Sequence, residues 1–402
     1  MGRLGLRETG TARGGDSGLV GPLKKWSFSQ LNNTLLIASS ESDANIYYAS
    51  GFLAPDSFVY LAANGKRFLL MSDLEVDRAR AQSKVDYVLS YSDYEEKAKQ
   101  SGDETTLIAV LSVLLKEQGI TDLVVPFNFP LEYGDALRAL GYTLAIKREP
   151  FFGARAIKTS DEVNAIRNAQ IAVESAMDDA VDLLRKSKIE GNHLYWEGVC
   201  LTSESVRQRL HLKMMEKGCV AEHTIVACGV DACDPHHVGA GPLRANEPII
   251  FDIFPRSSDT RYFADMSRTV VKGTATDELK RLYDTVLEGQ ILGISRVRSG
   301  VNGKDIHEEI VALFEKRGYK TGRVNGRMQG FFHGTGHGVG LDIHEPPSIS
   351  RRDCLLQKGE VVTVEPGLYY PDIGAVRIED MVLVEENGCR NLTAYPKFLE
   401  IQ

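Results

Sequence analysis

Ionisable residues that could do chemistry are concentrated late in the chain. FFHGTGHGVGLDIHEPP (331–347) and VVTVEPGLYYPDIGAVRIEDMVLV (361–384) carry His333, His337, His344, Glu365 and Glu379 on segments that otherwise read as glycine turns and apolar strands. Upstream, IIFDIFPRSSDTRYFADMSRTVV (249–271) adds Asp252 and Asp265. Charged and imidazole groups set among Val, Ile and Leu are costly to bury unless they are paired or bind metal. Four carboxylates and one imidazole are enough to hold two divalent cations. Ligation this rich in oxygen suits Mn²⁺ first, with Co²⁺ or Zn²⁺ as alternatives, over a thiolate-selected metal. A pair of such ions polarises a carbonyl and turns water into a nucleophile, so the chemistry expected is that of a dinuclear metallohydrolase.

Each residue also has a plainer reading. An aspartate beside a β-run is ordinarily a turn or a cap, and Asp259, in the polar link PRSSDTR (255–261), is assigned to solvent. Asp252 is different: Ile249, Ile250, Phe251, Ile253 and Phe254 surround it, so an ionised carboxylate there needs a cation or a hydrogen-bond donor. In extended chain His333 and His337, four apart, face the same way and can point into one cavity. The glycines around them let backbone approach closely. Position 334 is Gly where a helical HExxH zinc site needs Glu, so that motif is excluded. AVRIEDMVLV (375–384) reads as one strand with Arg377 and Glu379 on one face. A simple Arg377–Glu379 ion pair, at most about 1 kcal/mol if exposed, is the competing account. Glu365, Glu379 and the two aspartates together favour metal.

The elements that must position these groups fall into two regions. From about Trp26 to Pro150, strands at 34–39, 57–62, 67–71, 122–126 and 143–147 alternate with helices near 73–83, 104–118 and 131–141. Asn64-Gly65 supplies a hairpin turn between the second and third strands. This α/β region contains no histidine, which makes it a poor place for the chemistry. After residue 150, Thr159 and Glu162 form a capping box opening a helix with Val163, Ile166, Val173, Met177 and Leu184 on one face. Further helices are expected near 203–217, at 277–298 (entered through Thr276-Asp277-Glu278 and stopped by Gly300) and at 304–318, with a strand at 223–229. Polar-bearing strands backed by amphipathic helices make this region α+β. The expected division is a disordered tail over 1–24, an N-terminal α/β domain over 25–150 and a catalytic domain over 151–402.

Composition narrows the classes further. At 402 residues and 43% hydrophobic content the chain can build real cores, and its formal net charge of −8 argues against nucleic acid or an anionic membrane as the main partner. Six scattered cysteines without a CxxC pair read as reduced core residues rather than a disulfide framework. No apolar run reaches bilayer-spanning length, and the N-terminus lacks the apolar core of a secretion signal, so a cytoplasmic protein is expected.

With these residues in place, the chain resembles the "pita-bread" metallopeptidases, the group of Xaa-Pro aminopeptidase, prolidase and methionine aminopeptidase, with creatinase as a relative. The resemblance covers nearly everything after residue 25. It is carried by DPHHVGAGPLRANEPIIFD, FADMSRTVV, HGTGHGVGLDIHE, VEPGLYY and VRIED, in that order. The N-terminal region resembles the creatinase/prolidase N-terminal domain, which favours the prolidase and Xaa-Pro aminopeptidase side. The resemblance implies metal ligands at Asp252, Asp265, His337, Glu365 and Glu379. It also implies that Glu365 moves the proton from water to the leaving imino nitrogen. His344 would contact substrate and stabilise the oxyanion, while His333 and His236 would line the pocket, with His237 as the other registration of the latter. Arg377 matches an arginine beside the last ligand, on the substrate side. The implied substrate is a short peptide with Pro second, and the implied assembly a homodimer. One departure lies two residues after the first aspartate, where family members usually have Gly and this chain has Phe254; the link between the aspartates is also long. These rim changes keep open a same-fold enzyme acting on a small non-peptide substrate, as a C–N hydrolase or lyase. A non-catalytic binding protein on this scaffold is the other alternative, disfavoured by the intact ligand set.

Overall fold

The computed structural model of the chain describes residues 33–102 and 105–402; the tail expected over 1–24 lies outside them. Two compact units are present, one ending at Phe152 and one spanning Gly153–Gln402.

In the first unit, chain order is β1 (Thr34–Ala38), α1 (Ala44–Ser50), β2 (Phe58–Ala63), β3 (Lys66–Met71), α2 (Val76–Gln82), β4 (Tyr87–Ser90), α3 (Tyr91–Gln100), α4 (Leu107–Glu117), β5 (Asp122–Pro126), α5 (Leu131–Ala139) and β6 (Thr143–Lys147). The strands form one mixed sheet ordered β4-β3-β2-β1-β5-β6. Strand alternation explains why its central strands are apolar throughout. Leu35, Ile37, Val59, Leu61, Phe68 and Leu70 pack on one face with α3, α4 and α5. Leu36, Phe58, Tyr60, Leu69 and Met71 pack on the other with α1 and α2. The expected hairpin turn is present: Asn64 and Gly65 take φ of 51° and 72°, the left-handed pair that joins β2 to β3. Three elements were not anticipated. Helix α1 is seven residues long, β4 is four and runs directly into α3, and α3, though ten residues long, buries only Tyr94 and Ala98, so none of the three shows a clear apolar pattern.

The second unit opens with α6 (Ser160–Lys186), the three-stranded β7 (Lys188–Glu190), β8 (His193–Trp196) and β9 (Val199–Cys200), and then α7 (Ser203–Met215). Strands β10 (Cys219–Val220), β11 (Ile225–Cys228), β12 (Pro248–Ile253), β13 (Arg256–Ser257) and β14 (Met266–Lys272) follow. Helices α8 (Asp277–Arg296) and α9 (Gly303–Lys316) lead to the hairpin β15 (Gly322–Val324) and β16 (Arg327–Gln329). The remaining strands are β17 (Gly336–Gly338), β18 (Glu345–Ile349), β19 (Val361–Val364), β20 (Gly367–Tyr370), β21 (Gly374–Arg377), β22 (Asp380–Val384), β23 (Cys389–Asn391) and β24 (Glu400–Ile401). Two sheets matter most, ordered β11-β12-β14-β24 and β18-β17-β19-β22-β23. Helices α6 and α7 back the first through Val173, Met177, Val206, Ile249, Phe251 and Val270, while α8 and α9 back the second through Leu282, Val286, Ile306, Ile310, Val362 and Val382. Mixed helix and sheet layers of this kind are the α+β architecture expected. All six cysteines are unpaired thiols.

Two differences from the sequence reading bear on the site. The polar link after Asp252 contains β13, which pairs with the distant β10 and also bridges Phe263 through Arg256. The run 375–384 is not one strand. β21 pairs with β20, β22 pairs with β19, and Ile378 and Glu379 fall in the gap between two sheets. The cause is long-range: the Glu379 N–H donates to the Ser267 carbonyl of β14 at 3.1 Å, which local β-propensity cannot reveal.

Helix α6 starts on the predicted capping box. Glu162 N–H donates to the Thr159 hydroxyl at 3.3 Å, and Thr159 N–H donates to the Glu162 carboxylate at 2.7 Å. Thr159→Ala should lower stability by about 1 kcal/mol, seen as an earlier urea midpoint, whereas Thr159→Ser should leave the midpoint nearly unchanged.

Candidate metal centre

Strand register decides which side chains of β12 and β14 meet. On β12, Ile249, Phe251 and Ile253 enter the core beneath α6, so Asp252 shares the opposite face with Ile250. Asp252 pairs with Ser267 across the ladder, and alternation along β14 lines up Asp265, Ser267 and Thr269 on that same face. Asp265 is buried just before the strand begins. Thr269 fixes the approach of β21, since its hydroxyl donates to the Arg377 carbonyl and accepts the Arg377 N–H, both at 3.0 Å. Ser267 serves the next two residues: its hydroxyl donates to Glu379 Oε2 at 2.9 Å and accepts from Arg377 Nε at 3.0 Å.

The histidine strand comes in from the other sheet. A Cβ on Gly336 would lie 1.9 Å from the Thr363 carbonyl oxygen, so only glycine lets β17 approach β19 this closely. That approach seats His337, whose N–H donates to the Thr363 hydroxyl at 3.1 Å. His337 Nδ1 faces the Gly338 carbonyl at 3.1 Å and must carry the proton. The Nε2 lone pair is therefore turned toward Glu365 Oε1 at 3.4 Å and Asp265 Oδ2 at 3.6 Å. Burial, helped by neighbouring His344, pushes the His337 imidazolium down to about 3, so the ring is neutral. Asp265, His337 and Glu379 present ligand atoms all within 4.8 Å of one another.

The electrostatics state what is missing. Burial raises the Glu379 carboxyl to about 8, with Asp252 adding to the rise. Burial and the surrounding carboxylates raise Asp265 and Glu365 well above the usual range. One guanidinium answers them: Arg377 NH2 donates to Asp252 Oδ2 at 2.7 Å. Among the described residues Asp265, Glu365 and Glu379 have no lysine or arginine ion-pair partner. Glu379 Oε1 is buried without a hydrogen-bond donor among the described residues. An imidazole lone pair and unneutralised carboxylate oxygens converging on one point form an acceptor-only cavity, and a divalent cation is the species that satisfies it. The donor set fits the metal chemistry expected from the sequence.

The remaining predicted residues divide. His344 is exposed and sets its ring edge-on to His337, 4.3 Å between centroids. His333 does not join the carboxylates. Its Nδ1 donates to the Gly334 carbonyl at 2.7 Å and its Nε2 accepts from the Tyr369 hydroxyl at 2.9 Å, so both nitrogens are engaged. His236 is exposed and near enough to His333 and His344 for its charge to disfavour theirs. His237 instead accepts the Gly239 N–H in a local turn. Arg377, 3% exposed, reaches the Pro235 carbonyl and the Tyr369 hydroxyl as well as Asp252. The competing Arg377–Glu379 ion pair is thus replaced by Arg377–Asp252. Asp259 is exposed, as assigned, and Phe254 is half-buried. Sequence reasoning missed Ser267, Thr363 and Tyr369; each lies within a quoted motif, but a hydroxyl on a strand carries no signal of its own.

Comparison with known proteins shows the family and the fold. The profile of metallopeptidase family M24 matches residues 164–386, and that of the creatinase/prolidase N-terminal domain matches 32–143. An uncharacterized peptidase of Staphylococcus aureus strain MRSA252 is 28% identical, covering 88% of this chain and 93% of its own length. Among solved structures, the Xaa-Pro dipeptidase from Bacillus anthracis superposes with a TM-score of 0.77 at 25% identity, over 92% of this chain and 95% of that one. The prolidase from Pyrococcus horikoshii OT3 gives 0.74 at 25%, again over 92% and 95%. The X-Pro aminopeptidase from Thermotoga maritima, at 0.77 and 23%, shares the fold over 92% and 97%.

The raised carboxyls fix the sign of a pH effect. A carboxyl near 8 in the folded state, against about 4.5 when unfolded, binds more protons folded than unfolded between those values. The contribution of this group to the stability of the metal-free protein is therefore full below about pH 4.5 and is lost as pH rises toward 8. Melting temperatures of chelator-treated protein should drop from pH 5 to pH 8, and Mn²⁺ should raise them more at pH 8 than at pH 5.

Proposed function

The chain belongs to metallopeptidase family M24, and from that premise we propose that it hydrolyses the Xaa-Pro bond of short peptides with two divalent cations. The observation that carries the reading is the convergence of the neutral His337 Nε2 with buried Asp265 and Glu379 and half-buried Glu365, none of them neutralised by a lysine or arginine among the described residues. The names of the Bacillus anthracis and Pyrococcus horikoshii structures, an Xaa-Pro dipeptidase and a prolidase, support the substrate class.

Asp252, Asp265, His337, Glu365 and Glu379 would hold the ions, Mn²⁺ first, with Co²⁺ or Zn²⁺ as alternatives. Bound there, they supply a Lewis acid for the scissile carbonyl and acidity for the attacking water. Glu365 is the proton carrier: it takes a proton from that water and delivers it to the leaving imino nitrogen of proline. Its backbone is fixed by a 2.7 Å hydrogen bond to the Thr335 carbonyl, and the Thr363 hydroxyl bonds its carboxylate. His344, exposed beside His337, is placed to donate to the developing oxyanion. His333, with both nitrogens engaged, offers substrate a ring face rather than a hydrogen bond, and His236 lines the opening. Arg377 neutralises Asp252 and holds the backbone before His236 through the Pro235 carbonyl. The reading takes 25–150 as the N-terminal domain, 151–402 as the catalytic domain, and the protein as a cytoplasmic homodimer.

Purified protein loaded with Mn²⁺ and offered Gly-Pro, Ala-Pro and longer Xaa-Pro peptides should release the N-terminal residue. Glu365→Gln should lower kcat by at least about 100-fold. Absence of turnover on every such peptide by the loaded wild type would sink the specificity.

A further inference from the structure

His307, on α9, is 1% exposed and lies close enough to His333 for its charge to disfavour an imidazolium there. Its Nδ1 lies 3.0 Å from the Thr335 hydroxyl, and its Nε2 is buried without a partner among the described residues. Burial pushes the imidazolium down to about 4, with Arg351 contributing, so the ring is neutral. A phenylalanine would fill similar space without stranding a ring nitrogen, so packing alone does not account for a histidine here.

Its partner has no other freedom. Thr335 is fully buried, its N–H donates to the Ile349 carbonyl at 2.7 Å, and its carbonyl accepts the Glu365 N–H at 2.7 Å. The hydroxyl is the group left over, and His307 takes it. The same imidazole lies 5.2 Å from the Phe331 ring, which meets His333 edge-on at 5.1 Å. One helical side chain thus braces both the Phe331–His333 approach and the middle of the turn to His337.

We infer that His307 is a positioning residue: through the Thr335 hydroxyl it fixes the turn between His333 and His337, and through the Thr335 carbonyl it fixes Glu365. The inference rests on the roles proposed above for His337 and Glu365. Groups hydrogen-bonded to metal ligands typically change affinity or activity by about 10–100-fold when removed; His307 acts one residue further back, through Thr335, so the low end of that range applies.

The test uses full-length His307→Phe, His307→Asn, Thr335→Val and the double variant His307→Phe/Thr335→Val. Mn²⁺ affinity is measured by titrating metal-stripped protein, and kcat and KM on Ala-Pro at saturating Mn²⁺. His307→Phe and Thr335→Val should each weaken Mn²⁺ binding about ten-fold and lower kcat more than they change KM. The double variant should be no worse than the worse single one, because both remove one interaction. His307→Asn, whose amide can stand where Nδ1 stood, should recover most of the loss. Additive losses, an Asn variant as impaired as the Phe variant, or a Phe variant that binds and turns over like wild type would overturn the inference. If His307→Phe does not melt cooperatively, Thr335→Ser against Thr335→Val makes the same comparison: Ser near wild type with Val impaired supports the role, and equal behaviour overturns it. A wild type that binds Mn²⁺ but cleaves no Xaa-Pro peptide counts against the proposed substrate alone, and the Mn²⁺ titrations still decide the role of His307.

Discussion

Asp252, Asp265, Glu365 and Glu379 sit within Coulombic reach of one another in a protein interior, and among the described residues a single guanidinium, Arg377, pairs with one of them. Without further positive charge Asp265, Glu365 and Glu379 hold protons well above the usual carboxyl range, and each of these three that ionises weakens the fold. The surrounding structure exists to hold that unfavourable arrangement in place. Strands β12 and β14 bring the two aspartates, β17 the imidazole, the end of β19 Glu365, and the gap between β21 and β22 Glu379. Hydrophobic burial beneath α6, α7, α8 and α9 outweighs the local repulsion.

Much of the site was readable from residue types, because an acid or imidazole among β-branched neighbours is conspicuous. Asp252 among isoleucines and His337 among glycines announced themselves. The first unit was readable for another reason: its strands are short, apolar and bounded by turn residues, and Asn64-Gly65 left one geometry. What escaped was whatever depends on distant pairing. Ser267 and Thr269 look like ordinary strand residues until Arg377 and Glu379 arrive from more than a hundred positions away. The break at Ile378–Glu379 was hidden for the same reason. Its flanks are both good strands, and only the Glu379 bond to Ser267 shows that they belong to different sheets.

Arg377 also changes the meaning of a motif residue. Read locally, it is a partner for Glu379 two positions along; in three dimensions it ties Asp252, Ser267, Tyr369 and the Pro235 carbonyl together. Tyr369 in turn spends its hydroxyl on His333. One buried cation therefore sets the orientation of groups on four segments. Behind it, Arg268 reaches the Glu379 carbonyl and Asp380, so Glu379 is held from both sides.

The in-line arrangement of Asp265, Ser267 and Thr269 on β14 has an evolutionary corollary. Loss of a single amino acid from that strand would invert its two faces, sending Met266 and Val270 toward the acids and the polar trio into the oily layer under α6. Heritable length changes here are thus forbidden twice over, once by solubility of the core and once by loss of the acids' alignment. Strand register and reactivity are guarded by the same two-residue rhythm.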